Sequence, residues 1–208
     1  MRLGERLEPY GGEHPDVLAL PRGGVPVGAE VARVLGAPLD VAVVRKIGAP
    51  RNREYAIGAV AEGGVHVLGT RVGRSADLTP DELEGLIARA EHELEERLQR
   101  YRRGRPPLDL EGHTVIVVDD GLATGRSALA AVRSLRGRGA RRVILAAPVA
   151  SRQASLLLCR EADEVVCLEV PEDLLAVGAW YEDFRPTTDE EVAWLLAENA
   201  ARICSRPS

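Results

Sequence analysis

The chain has 208 residues, 28% of them charged, and a formal net charge of −5. That length allows one sizeable core, and the acidic balance argues against a nucleic-acid surface as its main business. No apolar run approaches the roughly 18 residues of a membrane span, and the opening Met-Arg-Leu-Gly-Glu-Arg lacks a signal-peptide core, so a cytoplasmic location without a membrane partner is expected.

In chain order, residues 17–20 form a short apolar run that reads as a buried strand. Pro21-Arg22-Gly23-Gly24 follows, leading into a helical pattern over 25–35. A second strand is expected over 39–44, and then a polar stretch, residues 45–55, with four cations, glycine and proline. That composition describes an anion-seeking loop. Lys46, within it, is the only lysine among 27 basic residues. Residues 56–60 and 65–68 read as a hairpin closed near Glu62-Gly63-Gly64. Thr79-Pro80-Asp81-Glu82 is a capping box with proline at the first helical position. It opens a long helix whose apolar face carries Leu83, Leu86, Ile87, Ala90, Leu94, Leu98 and Tyr101.

The densest signal lies at residues 115–127. Val115-Ile116-Val117-Val118 has the continuous apolar character of a strand covered on both faces. Asp119 and Asp120 follow at its end, and then Ala123-Thr124-Gly125-Arg126-Ser127 turns into a helix over 128–135. Ligands of open α/β sheets bind beyond the carboxyl ends of strands, and N–H groups of a small turn at a helix start hold phosphate. Carboxylates accept from vicinal hydroxyls. Together these residues describe a site for a phosphorylated sugar. Beyond it come a strand over 143–149, a helix over 151–162 and a strand over 165–170. A second capping box, Thr188 to Glu191, starts a terminal helix reaching about residue 203. The three cysteines, Cys159, Cys167 and Cys204, and the four histidines show no metal-ligand spacing, so reduced thiols and no protein-held metal centre are expected.

Residues 115–127 resemble the phosphoribosyl-pyrophosphate (PRPP) motif of the type I phosphoribosyltransferases. The resemblance implies an α/β fold: a central, mostly parallel sheet flanked by helices, with a small hood. On this reading residues 1–208 are a single domain. The hood is mainly 168–187, with the N-terminal segment allowed to share it, and residues 77–104 are a helical insertion. The resemblance also implies transfer of ribose 5-phosphate from PRPP to a nitrogenous base, with pyrophosphate as the leaving group. Asp119 and Asp120 would hold the ribose hydroxyls, and Ala123, Thr124, Gly125, Arg126 and Ser127 the 5′-phosphate. The Arg22-Gly23-Gly24 segment looks like the family's pyrophosphate loop, which implies a cis peptide before Arg22. Lys46, Arg51 and Arg53 fall where the family has its flexible catalytic loop, and Mg2+ is expected to arrive with PRPP. A homodimer is allowed.

Residues 168–184 are similar to the hood of the 6-oxopurine phosphoribosyltransferases, which places Leu175 and Glu182 at the base and favours a purine or related acceptor; Trp180, one of the clustered aromatics, is a further candidate for the base or a packing residue of the hood. Two departures stand out. Leu175 cannot stack as an aromatic would, and Ala123 replaces an acid that handles a base proton in those enzymes. Ala-Thr-Gly is instead similar to adenine-specific members. The alternative is a PRPP-binding regulator that has the pocket without the transferase activity.

Overall fold

The computed structural model describes residues 2–49, 52–68 and 78–205, with the side chains of 52–56 left aside. Its centre is a five-stranded parallel sheet made of β1 (Asp16–Ala19), β2 (Leu39–Val41), β6 (Thr114–Val118), β7 (Arg142–Val149) and β8 (Glu164–Glu169). The strands lie in the order β2-β1-β6-β7-β8. Register runs straight across: Val17 pairs with Ile116, and Ile116 with Ile144.

Alternation along each strand sorts its side chains onto two faces. Val17, Ala19, Ile116, Val118, Ile144 and Ala146 enter one core with α1 (Arg2–Leu7), α2 (Gly24–Leu35), α3 (Pro80–Arg102) and α6 (Asp189–Cys204). Leu18, Val115, Val117, Val143 and Leu145 enter the other with α4 (Arg126–Gly137) and α5 (Arg152–Leu158). Both faces are therefore apolar, and the strands read as unbroken hydrophobic runs. The strand carrying the acid pair sits inside the sheet, between β1 and β7.

Both capping boxes are present. Thr79 and Thr188 each accept from the backbone N–H three residues on, and Glu82 and Glu191 return the bond. The apolar face read along α3, from Leu83 to Tyr101, packs into the first core.

The polar stretch 45–55 is different from its expectation. It forms β3 (Val44–Ala49) and the start of β4 (Asn52–Ala61), an antiparallel pair that β5 (Val65–Leu68) extends to three strands. Ile47 is 1% exposed and Ile57 4%, both in the first core beside Ala90 and Leu94 of α3. One buried isoleucine on β3 fixes the strand, while the cations around it hide the alternation. Arg45 Nε donates to Glu93 Oε2 of α3 at 2.6 Å, so one of the four expected loop cations is already neutralised within the fold.

A buried ion network joins this small sheet to the large one. Arg102, at the end of α3, donates from Nε to both carboxylate oxygens of Asp40 on β2 at 3.0 Å. Its two terminal nitrogens reach Glu62 at 2.6 and 2.9 Å, in the turn between β4 and β5. Arg138 donates to Glu62 at 3.0 Å. Burial alone would lower the Arg102 pKa, but its bonds to Glu62 and Asp40 raise it above the ordinary arginine value. The helix expected as an insertion is thus welded to both sheets.

The N-terminal segment packs at the sheet end where the strands begin. Tyr10 donates to Glu164 at 2.5 Å, and Glu13 takes the Thr114 hydroxyl at 2.8 Å. The acid pair lies at the opposite end, where Val177 and Tyr181 reach the turn at Asp120 and Gly121.

Candidate active site

The central strand ends at Val118, whose carbonyl accepts from Leu20 N at 2.8 Å. Asp119 keeps the line of β7 by donating from N to Ala146 O at 3.1 Å. Asp119 Oδ1 then accepts from the Asp120 backbone N–H at 2.9 Å. Burial pushes both carboxyls above the usual range, and the neighbouring Asp120 charge raises Asp119 further, well beyond it. Two adjacent carboxyls whose charged forms are disfavoured in this way at a strand end are groups of the kind that functional sites use.

The loop of residues 21–24 is pressed against this pair. A Cβ on Gly23 would fall 1.8 Å from Asp120 Oδ2, and one on Gly24 would fall 2.8 Å from Val118 O and 3.0 Å from Asp119 Cα. At Gly24 the clash is with backbone, so the close approach there requires glycine, while a side chain at residue 23 would displace the Asp120 carboxylate. The Pro21–Arg22 peptide is cis, as the resemblance implied. Arg22 itself is half-exposed, and its Nη1 stands 3.9 Å from Asp189 Oδ1.

On the other side of the pair, the turn of residues 121–127 is pinned by the junction of β7 with α5. Leu122 N donates to Val149 O at 2.9 Å, Ser151 N to Leu122 O at 2.8 Å, and Ser151 Oγ to Ala123 O at 2.6 Å. Gly125, at φ 68°, turns the chain into α4, and no side chain caps that helix. The first-turn N–H groups of α4 have no partner inside the helix. Ala123, Thr124 and Arg126 are exposed and Ser127 half-buried around them. An uncapped helix start lined by small and hydroxyl residues is suited to an anion.

The segment after β8 folds back over the acid turn. A Cβ on Gly121 would meet Val177 Cγ1 at 2.4 Å, and Tyr181 donates its hydroxyl to Asp120 O at 2.6 Å. Tyr181 and Phe184 pack at 5.1 Å between ring centroids. Leu175 is 97% exposed, Trp180 44%, and Glu182 is exposed as well. The three residues expected at the base therefore face solvent on a segment that two others, Val177 and Tyr181, attach to the acid pair. Lys46 is exposed on β3. Arg51 and the Arg53 side chain lie outside the described residues.

A phosphoribosyl transferase domain model matches residues 3–179. The chain belongs to that family. Two Mycobacterium tuberculosis proteins provisionally named phosphoribosyl transferases, Rv0571c and MT0597, are each 44% identical to it over 195 residues. Those residues make up 94% of this chain, which spans under half, 44%, of the length of either relative. The crystal structure of TT1426 from Thermus thermophilus is 51% identical, with a TM-score of 0.82 over 95% of this chain and 93% of that one.

In this phosphoribosyl transferase domain, three residues near the Arg22 loop escaped the sequence reading. Arg100, Tyr101 and Asp189 come together beside Arg22, and Asp189 lies beyond the matched residues. Tyr101 registered only as part of an apolar helix face, and Asp189 as one of several acids at a helix start. Among the described residues no helix is long and apolar enough to cross a membrane.

Proposed function

We propose that this phosphoribosyl transferase domain moves ribose 5-phosphate from PRPP to a nitrogenous base, a purine or a related ring, and releases pyrophosphate. One observation carries the reading: Gly23 and Gly24 back directly onto Asp120 and Asp119. The segment assigned to pyrophosphate, the acids assigned to ribose and the turn assigned to phosphate thus share one sheet end.

Each residue then has a task that follows from its chemistry. Asp119 and Asp120 accept from the 2′- and 3′-hydroxyls and hold the ring. The α4 start and the side chains of Thr124, Arg126 and Ser127 take the 5′-phosphate. The loop at Arg22, Gly23 and Gly24 takes the leaving diphosphate, where a guanidinium offers forked donors. Loss of pyrophosphate leaves an oxocarbenium-like centre at C1′, so catalysis consists mainly of positioning and charge stabilisation. The base nitrogen attacks the face opposite the leaving group and inverts the anomeric carbon. Lys46, Arg51 and Arg53, on or beside the β3–β4 hairpin, neutralise the diphosphate as it departs.

Adjacent carboxylates are hard oxygen donors of the kind Mg2+ takes, one or two at a time, alongside substrate phosphates. Asp119 and Asp120 fit that role. Bound there with PRPP, Mg2+ supplies Lewis-acid stabilisation of the diphosphate. Leu175, Trp180 and Glu182, on the segment above the acid turn, are the proposed determinants of the base.

The test is pyrophosphate release from PRPP and Mg2+ with a panel of purine and pyrimidine bases. Release that depends on one base establishes both the reaction and the acceptor. Binding of PRPP without release in any mixture would move the assignment to a PRPP-responsive regulator, and absence of PRPP binding would end the reading.

A further inference from the structure

Asp189 is the first residue of α6, and its carboxylate meets three side chains. Arg100 Nη1 donates to Oδ2 at 2.7 Å, the Tyr101 hydroxyl donates to Oδ1 at 2.9 Å, and Arg22 Nη1 stands 3.9 Å from Oδ1. Although burial acts to raise the Asp189 pKa, the Arg100 and Tyr101 bonds bring it below the usual range, so the group is a fixed negative charge. Tyr101 is fully buried, and burial together with the Asp189 bond pushes its hydroxyl up to about 12, which keeps it a donor.

The two helix ends that carry this carboxylate are anchored independently. Arg102 ties the last turn of α3 to Asp40 and Glu62, and Arg105 donates to Leu196 O of α6 at 2.7 Å. Arg22 has the opposite character. It sits at the outer limit of an ion pair, half-exposed, one residue from the glycine that touches Asp120. Asp189 thus pairs with this guanidinium by charge alone, at a distance that leaves room for a second anion on its donors.

We propose that Asp189 is a positioning residue for Arg22: seated on the Arg100–Tyr101 turn, it holds the guanidinium ready for the diphosphate of PRPP. This inference rests on the phosphoribosyltransferase reading. It also gives α3 a task at the site, because the helix end supplies both residues that fix the carboxylate. An arginine held in place before its ligand arrives avoids the ordering cost of a long, flexible side chain.

Calorimetric titration with PRPP and Mg2+ tests this on D189N, D189E, R22A and the double variant R22A/D189N. D189N should weaken binding about three- to tenfold, the factor associated with ordering one rotamer-rich side chain. D189E should recover part of the loss. In the R22A background D189N should add nothing further, because its effect runs through the missing guanidinium. A D189N protein that melts earlier yet binds PRPP normally would reduce Asp189 to a structural cap and overturn the proposal. So would an undiminished D189N effect in R22A, or an R22A that binds as wild type. Should D189N fail to fold, Y101F removes one fixing bond alone and should shift binding in the same direction by a smaller factor. Unchanged binding in Y101F would then overturn the proposal. Failure of the wild-type protein to bind PRPP would instead strike the parent reading, and the role of Asp189 with it.

Discussion

Asp119 and Asp120 are the residues on which the proposed chemistry turns, and both carboxyls are held above the usual range. Their pKa values are raised by burial and, for Asp119, by the neighbouring charge. A carboxyl whose folded pKa exceeds its unfolded value favours folding most below the unfolded value, and that contribution is lost as pH rises through the folded value. At neutral pH the pair is therefore a burden on the fold. D119N should raise the melting temperature at pH 7.5 by a few degrees, since about 1 kcal/mol moves a domain of this size roughly 2–4 °C. The D119A/D120A variant should bind PRPP at least about tenfold more weakly, through loss of two charge-assisted acceptors. PRPP affinity of the wild type should also fall as pH is lowered from neutral, because the raised pair takes up protons sooner than ordinary carboxyls and the diol and Mg2+ require it ionised. Calorimetry in matched buffers checks both, and a flat pH profile would remove the pair from the ligand. These residues were legible in the sequence because their environment is local: a strand, two acids, a turn and a helix in succession. Gly23 and Gly24 were legible as glycines at a strand end. The pairing of Tyr101 with Asp189 was not, since only the folded chain brings the two near.

Among the elements, the β3–β4 hairpin departed furthest from what its residues suggested. Period-2 alternation marks a strand when one whole face is apolar, and here a single isoleucine on β3 supplies that face. Its removal should be costly: I47A is expected to lose about 2–5 kcal/mol of stability, measured by urea unfolding. The same hairpin carries Lys46. K46A should lower turnover more than PRPP affinity if the cation serves mainly the departing diphosphate, and equal losses would identify it as a ground-state anchor. At the other end of α3, Arg102 answers two carboxylates from two sheets. R102M leaves Asp40 without its cation in a buried place, and breaking a buried pair in this way costs about 3–5 kcal/mol. A melting curve unchanged in R102M would show that the network contributes little. Nothing in the local sequence around Arg102 marked it out from its neighbours Arg100 and Arg103. Its importance comes from where the helix ends.

For the molecule as a whole, the βα alternation announced a parallel sheet covered on both faces, and the interior place of the motif strand followed from its unbroken apolar character. Strand order and the second sheet were beyond reach, because pairing partners are chosen by docking and not by local pattern. The resulting architecture gives the site a floor and a roof of unequal security. The floor hangs from β6, flanked on both sides and with every residue buried. The roof, residues 174–184, follows β8 at the sheet edge and attaches through Val177 and the Tyr181 bond to Asp120 O. In amide hydrogen exchange, β6 should lose its protons only when the whole domain opens, while the roof should exchange through local opening that leaves the sheet intact. Ligand should then slow exchange in the roof far more than in the floor. A molecule arranged in this way can open the proposed site many times for each time that it unfolds.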